Sequence, residues 1–197
     1  MVPVEERVDG GDLLSATSRS PSDEELARKM FAGDEKAAQH LVERYQRPLF
    51  GFLYRFSHNA ADAEELFQET FLRAIRASVR YDTHRRFKPW IYTIALNLAR
   101  DRANRLAHSA NPELCRDDEL PETDRRGHEA DWISRADLLR ALSTLPETHR
   151  EVIVLKYFEG LEEAEIAEAC EIPRGTVKSR LHHGLRKLRA ALSREPT

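Results

Sequence analysis

Glycine is scarce in this chain of 197 residues, with 8 positions, beside 9 prolines and 2 each of cysteine, methionine and tryptophan. So little glycine, without a G-x-y period, excludes a collagen-like chain. The two cysteines, Cys115 and Cys170, stand far apart with no CxxC spacing. That excludes a disulfide scaffold and suits a reducing cytosol. No window approaches the roughly 18 uncharged apolar residues of a membrane span. The N-terminus MVPVEERVDGGDLL is acidic and lacks the basic-then-apolar order of a signal peptide, so no membrane insertion is expected. There is no Gly-rich phosphate loop, nucleophile–base pairing or metal-ligand spacing, so neither an enzyme nor a cofactor or metal is expected. His182-His183 has no i,i+4 partner histidine, and adjacent residues on a helix point apart.

Charge and helix-compatible apolar residues are abundant instead. Hydrophobics make up 41%, too many for a fully disordered chain, and charged residues 33%. The net charge of −3 hides an asymmetry. Arg73 to Arg105 carries nine Lys/Arg against two Asp, and Ile172 to Thr197 seven against one Glu, leaving the remainder strongly acidic. Two separated basic tracts suggest two polyanion contacts, with solvated helix faces as the plain alternative.

The patterning predicts an all-α chain of two small helical domains on a flexible acidic linker. Residues 1–21 read as a disordered tail, polar and aperiodic. Ser22, followed by Asp23, Glu24 and Glu25, is an N-cap with acids in the first turn. Apolar periodicity then runs to about residue 106, broken at Gly33, Pro48, His58-Asn59 and Pro89. Residues 107–131, with eight acids against three bases, read as the linker. Residues 132–193 form the second domain.

Within the first domain, Asp62 to Ser78 predicts a helix with Asp62 as N-cap and Glu65 completing a capping box. Leu66, Phe67, Phe71, Ala74 and Ile75 form its inward stripe, and Glu64, Gln68, Glu69, Arg73 and Arg76 lie outside it. YDTHRRFKPW (81–90) mixes aromatics with bases, which offers stacking and phosphate attraction to a single-stranded nucleic acid. Phe87 and Trp90 read mainly as core, and Tyr81 is the aromatic least explained by packing. In the helix that follows, Ile91, Ile94, Ala95 and Leu98 face inward, while Asn97, Arg100 and Arg102 offer polar contacts.

In the second domain, Leu161 to Cys170 predicts a short helix with Ile166 and Ala167 inward, Cys170 as a small buried hydrophobe, and Glu162, Glu163, Glu165 and Glu168 as an exposed acidic face. Glu171-Ile172-Pro173 breaks it. Val177, Leu181, Leu185, Leu188 and Leu192 then make one apolar stripe, opposite Arg174, Lys178, Ser179, His182, His183, Arg186 and Arg189. Helix, tight turn and helix with one dry and one basic face is the helix-turn-helix pattern, whose second helix fits a major groove. A helical hairpin kept basic for solubility is the alternative for this segment. A stand-alone helix-turn-helix regulator accounts for residues 138–192 equally well. It leaves Asp62–Arg105 unexplained and needs a dimer surface that is not evident.

DAEELFQETFLRAIRA, then F-x-x-W-IYTIALN, then P-R-G-TVKSRLHHGLRKLR together resemble bacterial RNA polymerase sigma factors of the extracytoplasmic-function (ECF) type, in the sigma-70 superfamily. The first two motifs fall in that family's region 2 and the third in region 4, and the resemblance covers about residues 22–106 and 138–192. It implies a protein that binds core RNA polymerase through its β′ and β subunits, directs it to promoter DNA and helps melt the −10 element. It also implies an anti-sigma factor as restraining partner. By position, Asp62, Glu64, Glu65, Gln68, Glu69, Arg73 and Arg76 would hold the β′ coiled coil. Tyr81, Arg85, Arg86, Lys88, Trp90, Asn97 and Arg100 would engage the −10 element, with Tyr81 stacking on a flipped base. Arg174, Thr176, Lys178, Ser179, Arg180, His182, His183 and Arg186 would engage the −35 element. Leu96 stands where many members carry Arg, which removes a DNA-backbone contact. His182-His183 replaces a pair that is often aromatic or basic.

Overall fold

The computed structural model describes residues 20–77, 81–82, 85–108 and 135–193. The tail before residue 20 and the linker beyond His108 lie outside the described residues. Every element among them is a helix, with no strand among the described residues.

The chain starts where its capping chemistry says it should. α1 (Asp23–Phe31) opens on a complete capping box: Ser22 Oγ accepts from the Glu25 N–H at 3.2 Å, and the Glu25 carboxylate accepts from the Ser22 N–H at 2.8 Å. Gly33 follows at φ 92, a left-handed turn open to glycine at little cost. α2 (Glu35–Ser57) runs straight through Pro48, which the sequence suggested as a break. An interior proline forfeits one helical hydrogen bond at a cost of about 3 kcal/mol. Burial of Leu41, Tyr45, Leu49, Phe52 and Leu53 on the same helix offsets it. α2 ends at His58, in the left-handed region at φ 52.

α3 (Ala60–Arg76) is capped three residues earlier than expected. Asn59, not Asp62, is its N-cap, accepting from the Asp62 N–H at 2.9 Å. α4 (Phe87–His108) starts with its Phe87 N–H bonded to the Glu24 carboxylate of α1 at 3.2 Å. Pro89 falls in the first turn, where no intrahelical donor is missed. Most of the apolar residues between Phe87 and Ala99 of α4 are buried because the helix is covered on more than one side: α1, α2 and α3 pack on it from the first half, and α7 (Glu163–Cys170) from the second.

The second half holds α5 (Arg135–Ser143), α6 (Glu147–Ile153) with a π-helical turn over Val154–Phe158, then α7 and α8 (Arg174–Leu192). Glu171, left-handed at φ 56, reverses the chain between α7 and α8. Gly184 sets how closely α6 and α8 approach. A Cβ there would meet Ile153 Cδ1 at 2.8 Å and His149 Cβ at 3.3 Å. Gly184 therefore occupies the buried face beside Val177 and Leu181, and Leu185, expected on the apolar stripe, is turned out to 37% exposure. Cys170 is buried as expected. Burial and the nearby Glu151 carboxylate push its thiol up to about 12. One continuous hydrophobic cluster runs from Leu26 through Leu98 to Leu142 and Leu181, so the two halves share a core.

Candidate functional site

Three surfaces carry the residues singled out in the sequence. The first is the outer face of α3. Ala63, Leu66, Phe67, Thr70, Phe71 and Ala74 are buried, and Glu64, Glu65, Gln68, Arg73 and Arg76 are exposed opposite them. Gln68 Nε2 donates to Glu64 Oε1 at 3.2 Å and Arg73 Nε to Glu69 Oε1 at 2.8 Å, so this face is held by its own i,i+4 pairs. Asp62 does not join it, because its carboxylate is ion-paired to Arg102 of α4. Ile75, expected inward, is 50% exposed. It lies nine residues beyond Leu66, and at about 100° per residue that is half a turn round the helix. Leu72, absent from the expected site, is 48% exposed beside it. Glu65, Gln68, Leu72 and Ile75 thus line one seam at steps of three, four and three, a repeat legible in the sequence and suited to packing against another helix.

The second surface is the stretch before and along α4. Here the structure corrects one expectation. Tyr81 is not an open platform: it is only 7% exposed, with its ring 4.8 Å from Trp90, 5.1 Å from Phe31 and 6.2 Å from Phe87. Its hydroxyl donates to the Arg85 carbonyl at 2.8 Å, and burial pushes it up to about 12. A ring with three aromatic neighbours and a satisfied hydroxyl belongs to the core. Trp90, read mainly as core, is half-buried. It lines an open cleft of about 540 Å³ with Arg85, Arg86, Pro89 and Thr93 on one wall and Glu165, Glu168 and Glu171 on the other. Pro89, read from the sequence only as a break, and Thr93 were not expected in the site. Lys88 Nζ sits 6.0 Å over the Tyr92 ring. Asn97 is half-buried and accepts from Arg100 at 3.4 Å. Leu96 is fully buried, so nothing at that position reaches a backbone phosphate.

Three cations of this stretch already have anionic partners in the second half. Arg85 pairs with Glu168, and Arg86 with Glu165 at 2.6 Å. Arg100 makes a bidentate pair with the buried Glu151 at 2.6 and 2.9 Å. The buried Tyr92 hydroxyl donates to the buried Glu159 carboxylate, with Arg55 3.7 Å from it. Arg55 also lies 4.2 Å over the Phe158 ring, and Arg150 lies 5.4 Å over Phe56. None of these carboxylates was read as a partner from the sequence. Glu165 and Glu168 were expected on a solvated face.

The third surface is α8. Arg174, Lys178, Ser179, His182, His183 and Arg186 are exposed, with Thr176 and Arg180 half-buried at the margin. Ser179 Oγ donates to the Thr176 carbonyl at 3.1 Å, and the His182 and His183 rings meet edge-on at 5.4 Å. Arg174 and Thr176 stand in the first turn, the end a recognition helix presents to base edges.

Comparison with known proteins finds the same two parts. Residues 41–108 match Sigma-70 region 2 and residues 135–188 match Sigma-70 region 4. The chain is 38% identical over 160 residues to RNA polymerase sigma factor CarQ of Myxococcus xanthus, covering 81% of this chain and 91% of that one. It is 34% identical over 174 residues to the ECF RNA polymerase sigma factor SigW of Bacillus subtilis, with the same coverages. Among solved structures, CnrH in complex with the cytosolic domain of CnrY superposes with a TM-score of 0.67 at 27% identity, covering 88% of this chain and 99% of that one. An α8 with its basic side chains outward, an amphipathic α3 and matches to both conserved regions leave one conclusion: this chain belongs to the sigma-70 family as a sigma factor of the ECF type, a promoter-specific transcription initiation factor of RNA polymerase and not an enzyme.

Proposed function

We propose that the three surfaces divide the work of a sigma factor: α3 holds the polymerase, the stretch from Arg85 to Asn97 takes the −10 strand, and α8 reads the −35 duplex. Residues 22–106 and 132–193 are the two working units in this reading, and they act on the polymerase in the cytoplasm. The observation that carries it is the outer face of α3. Two half-exposed aliphatics, Leu72 and Ile75, sit in a frame of Glu64, Glu65, Gln68, Arg73 and Arg76. An apolar centre with a charged rim suits a reversible protein interface, and the seam spacing suits a coiled-coil partner such as the β′ helices. Trp90, half-buried and sharing its cleft with Arg85 and Arg86, supplies the aromatic and cationic chemistry that a melted strand needs, in place of the buried Tyr81. An anti-sigma partner belongs to the same reading, since CnrH was solved with a protein partner bound.

Size-exclusion chromatography with bacterial core RNA polymerase tests it. The wild-type chain should co-elute with the core enzyme. Leu72→Ala with Ile75→Ala should weaken co-elution by about tenfold or more in affinity, since burying the remaining half of each side chain is worth about 1 kcal/mol. Gln68→Ala, Glu69→Ala and Arg73→Ala together should weaken it as well. Undiminished co-elution of both variants would remove α3 from the interface.

A further inference from the structure

Three consecutive acids open α1, and each has a different partner. Glu25 closes the capping box on Ser22. Asp23 turns to α2, where it accepts from the Tyr45 hydroxyl at 2.5 Å and pairs with Arg44. Glu24 turns to α4, where its carboxylate accepts from the Phe87 N–H at 3.2 Å. Phe87 is the first residue of α4, so its N–H has no acceptor within its own helix. The residues just before it, Arg85 and Arg86, carry no side-chain acceptor to offer. The start of α4 is therefore capped from 63 residues earlier, by a charged acceptor at the positive end of its dipole.

Seven residues after Glu24, two turns along the same face of α1, stands Phe31. Its ring lies 5.1 Å from Tyr81 and meets Trp90 edge-on at 5.8 Å. Tyr81 and Phe87 complete the ring contacts of Trp90, at 4.8 and 5.8 Å. Leu26, Ala27 and Met30 are buried on α1 and seat the helix. α1 thus holds the stretch at two points: Glu24 at the backbone where α4 begins, and Phe31 at the indole one turn further on. A stacking platform binds best when its ring is already held, because a loose ring must be ordered at the moment of binding.

We propose that Glu24 is a positioning residue for strand capture: by capping α4 it fixes Trp90 in the orientation on which an unpaired base stacks, with Phe31 as the second hold. The role rests on the assignment of the −10 strand to the Arg85–Asn97 stretch made above. It gives α1, which precedes the matched region 2 span, a part in promoter opening without contact to DNA or polymerase.

The test compares Glu24→Ala with Glu24→Gln in the full chain. Both remove one negative charge, and only glutamine keeps an acceptor oxygen for the Phe87 N–H. Loss of a negative charge by itself favours nucleic acid, so any weakening runs against it. Three quantities are read. Acrylamide quenching of Trp90 fluorescence in the free chain, with Trp132→Phe leaving Trp90 the only tryptophan, reports how the ring is held. Anisotropy of a fluorescein-labelled mixed-sequence single-stranded DNA, measured on the chain bound to bacterial core RNA polymerase with core alone as baseline, reports strand binding. Co-elution with the polymerase reports the rest of the fold. Glu24→Ala should raise the quenching and weaken strand binding about three- to tenfold, whereas Glu24→Gln should stay within about twofold of wild type in both, with co-elution unchanged. Phe31→Leu, which leaves the cap intact, should move the first two readings as Glu24→Ala does. Equal losses in the two Glu24 variants would assign the effect to charge and overturn the proposal. Co-elution lost in parallel with strand binding would reduce Glu24 to a general structural role and overturn it too. Trp90→Ala separates the role from the reading beneath it. Weak strand binding in Trp90→Ala beside wild-type binding in Glu24→Ala would overturn the positioning role alone. Wild-type binding in Trp90→Ala would overturn the strand assignment and the positioning role with it.

Discussion

Along α4 and the loop before it, Arg85, Arg86, Arg100 and Arg102 each meet a carboxylate of the same chain. Along α8, the only such pair among the described residues joins Lys178 to Glu163, at 3.9 Å. The two basic tracts have nearly the same net charge and different electrostatic situations. A cation already paired exchanges one anion for another when it meets a phosphate, and little is gained. A cation facing water releases counterions and gains both affinity and rate. Arg174 and Arg186 of α8 face water, whereas Arg85, Arg86 and Arg100 are held by carboxylates of the second half and Arg102 by Asp62 of the first.

The comparison breaks most completely at Arg100. Its partner Glu151 is among the few buried charged groups, and the pair bridges α4 and α6. Arg100→Met keeps much of the side-chain volume and strands the Glu151 carboxylate. Breaking a buried pair from one side costs about 3–5 kcal/mol, and here the cost falls on the docked arrangement. The expected outcome is a lower urea midpoint together with faster amide exchange along α7. An unchanged midpoint would mean that the hydrophobic cluster alone holds the halves.

A smaller effect sharpens the contrast from the other side. Arg174→Gln with Arg186→Gln should reduce the slope of log K against log salt for duplex binding by about 0.9 for each phosphate that is no longer neutralised. Arg85→Gln with Arg86→Gln should leave that slope unchanged in the free protein, because those cations are already neutralised. Anisotropy titrations of a labelled duplex over a salt series decide between the two outcomes. Equal reductions in both variants would erase the distinction between an open and a closed tract.

Local signals carried most of the fold. Ser22 at the start of α1, the break at His58-Asn59 and most of the apolar spacing of α3 and α8 were readable because each depends on residues within one or two helical turns. The misses have a common cause in contacts that sequence distance conceals. Tyr81 looked unexplained by packing because Phe31, one of its ring neighbours, lies fifty residues earlier. Asp62 looked like a cap because Arg102, forty residues on, was not visible as its partner. Pro48 looked like a break because the burial that offsets it comes from tertiary packing. The docking of the halves was the largest gap. Arg85 and Glu168 are 83 positions apart, and charge balance along a chain says nothing about which opposite charges meet.

The mildest test concerns pH, at the point where the two halves share a proton. Burial raises the Glu159 carboxyl above its ordinary value; the Tyr92 hydrogen bond, Arg55 from α2 and Lys88 from α4 pull it back down. A carboxyl raised in the folded state contributes stability that is fully present below its unfolded pKa and is lost as pH rises through its folded one. Mild acid therefore favours the docked form at this site, by protonating a group that burial makes costly to ionise. Tyr92→Phe removes the donor that most stabilises the ionised form, so Glu159 should titrate higher still in the variant. The variant should lose about 1.5–3 kcal/mol near neutrality, the scale of a hydrogen bond to a charged group. That deficit should narrow in mild acid, where a protonated Glu159 no longer needs the hydroxyl. Urea midpoints of both proteins at the two conditions give the result, and the remaining carboxylates and histidines, common to both, cancel in the difference. A deficit that stays constant or widens on acidification would show that Tyr92 acts through packing alone and that no ionised carboxylate is buried between the halves.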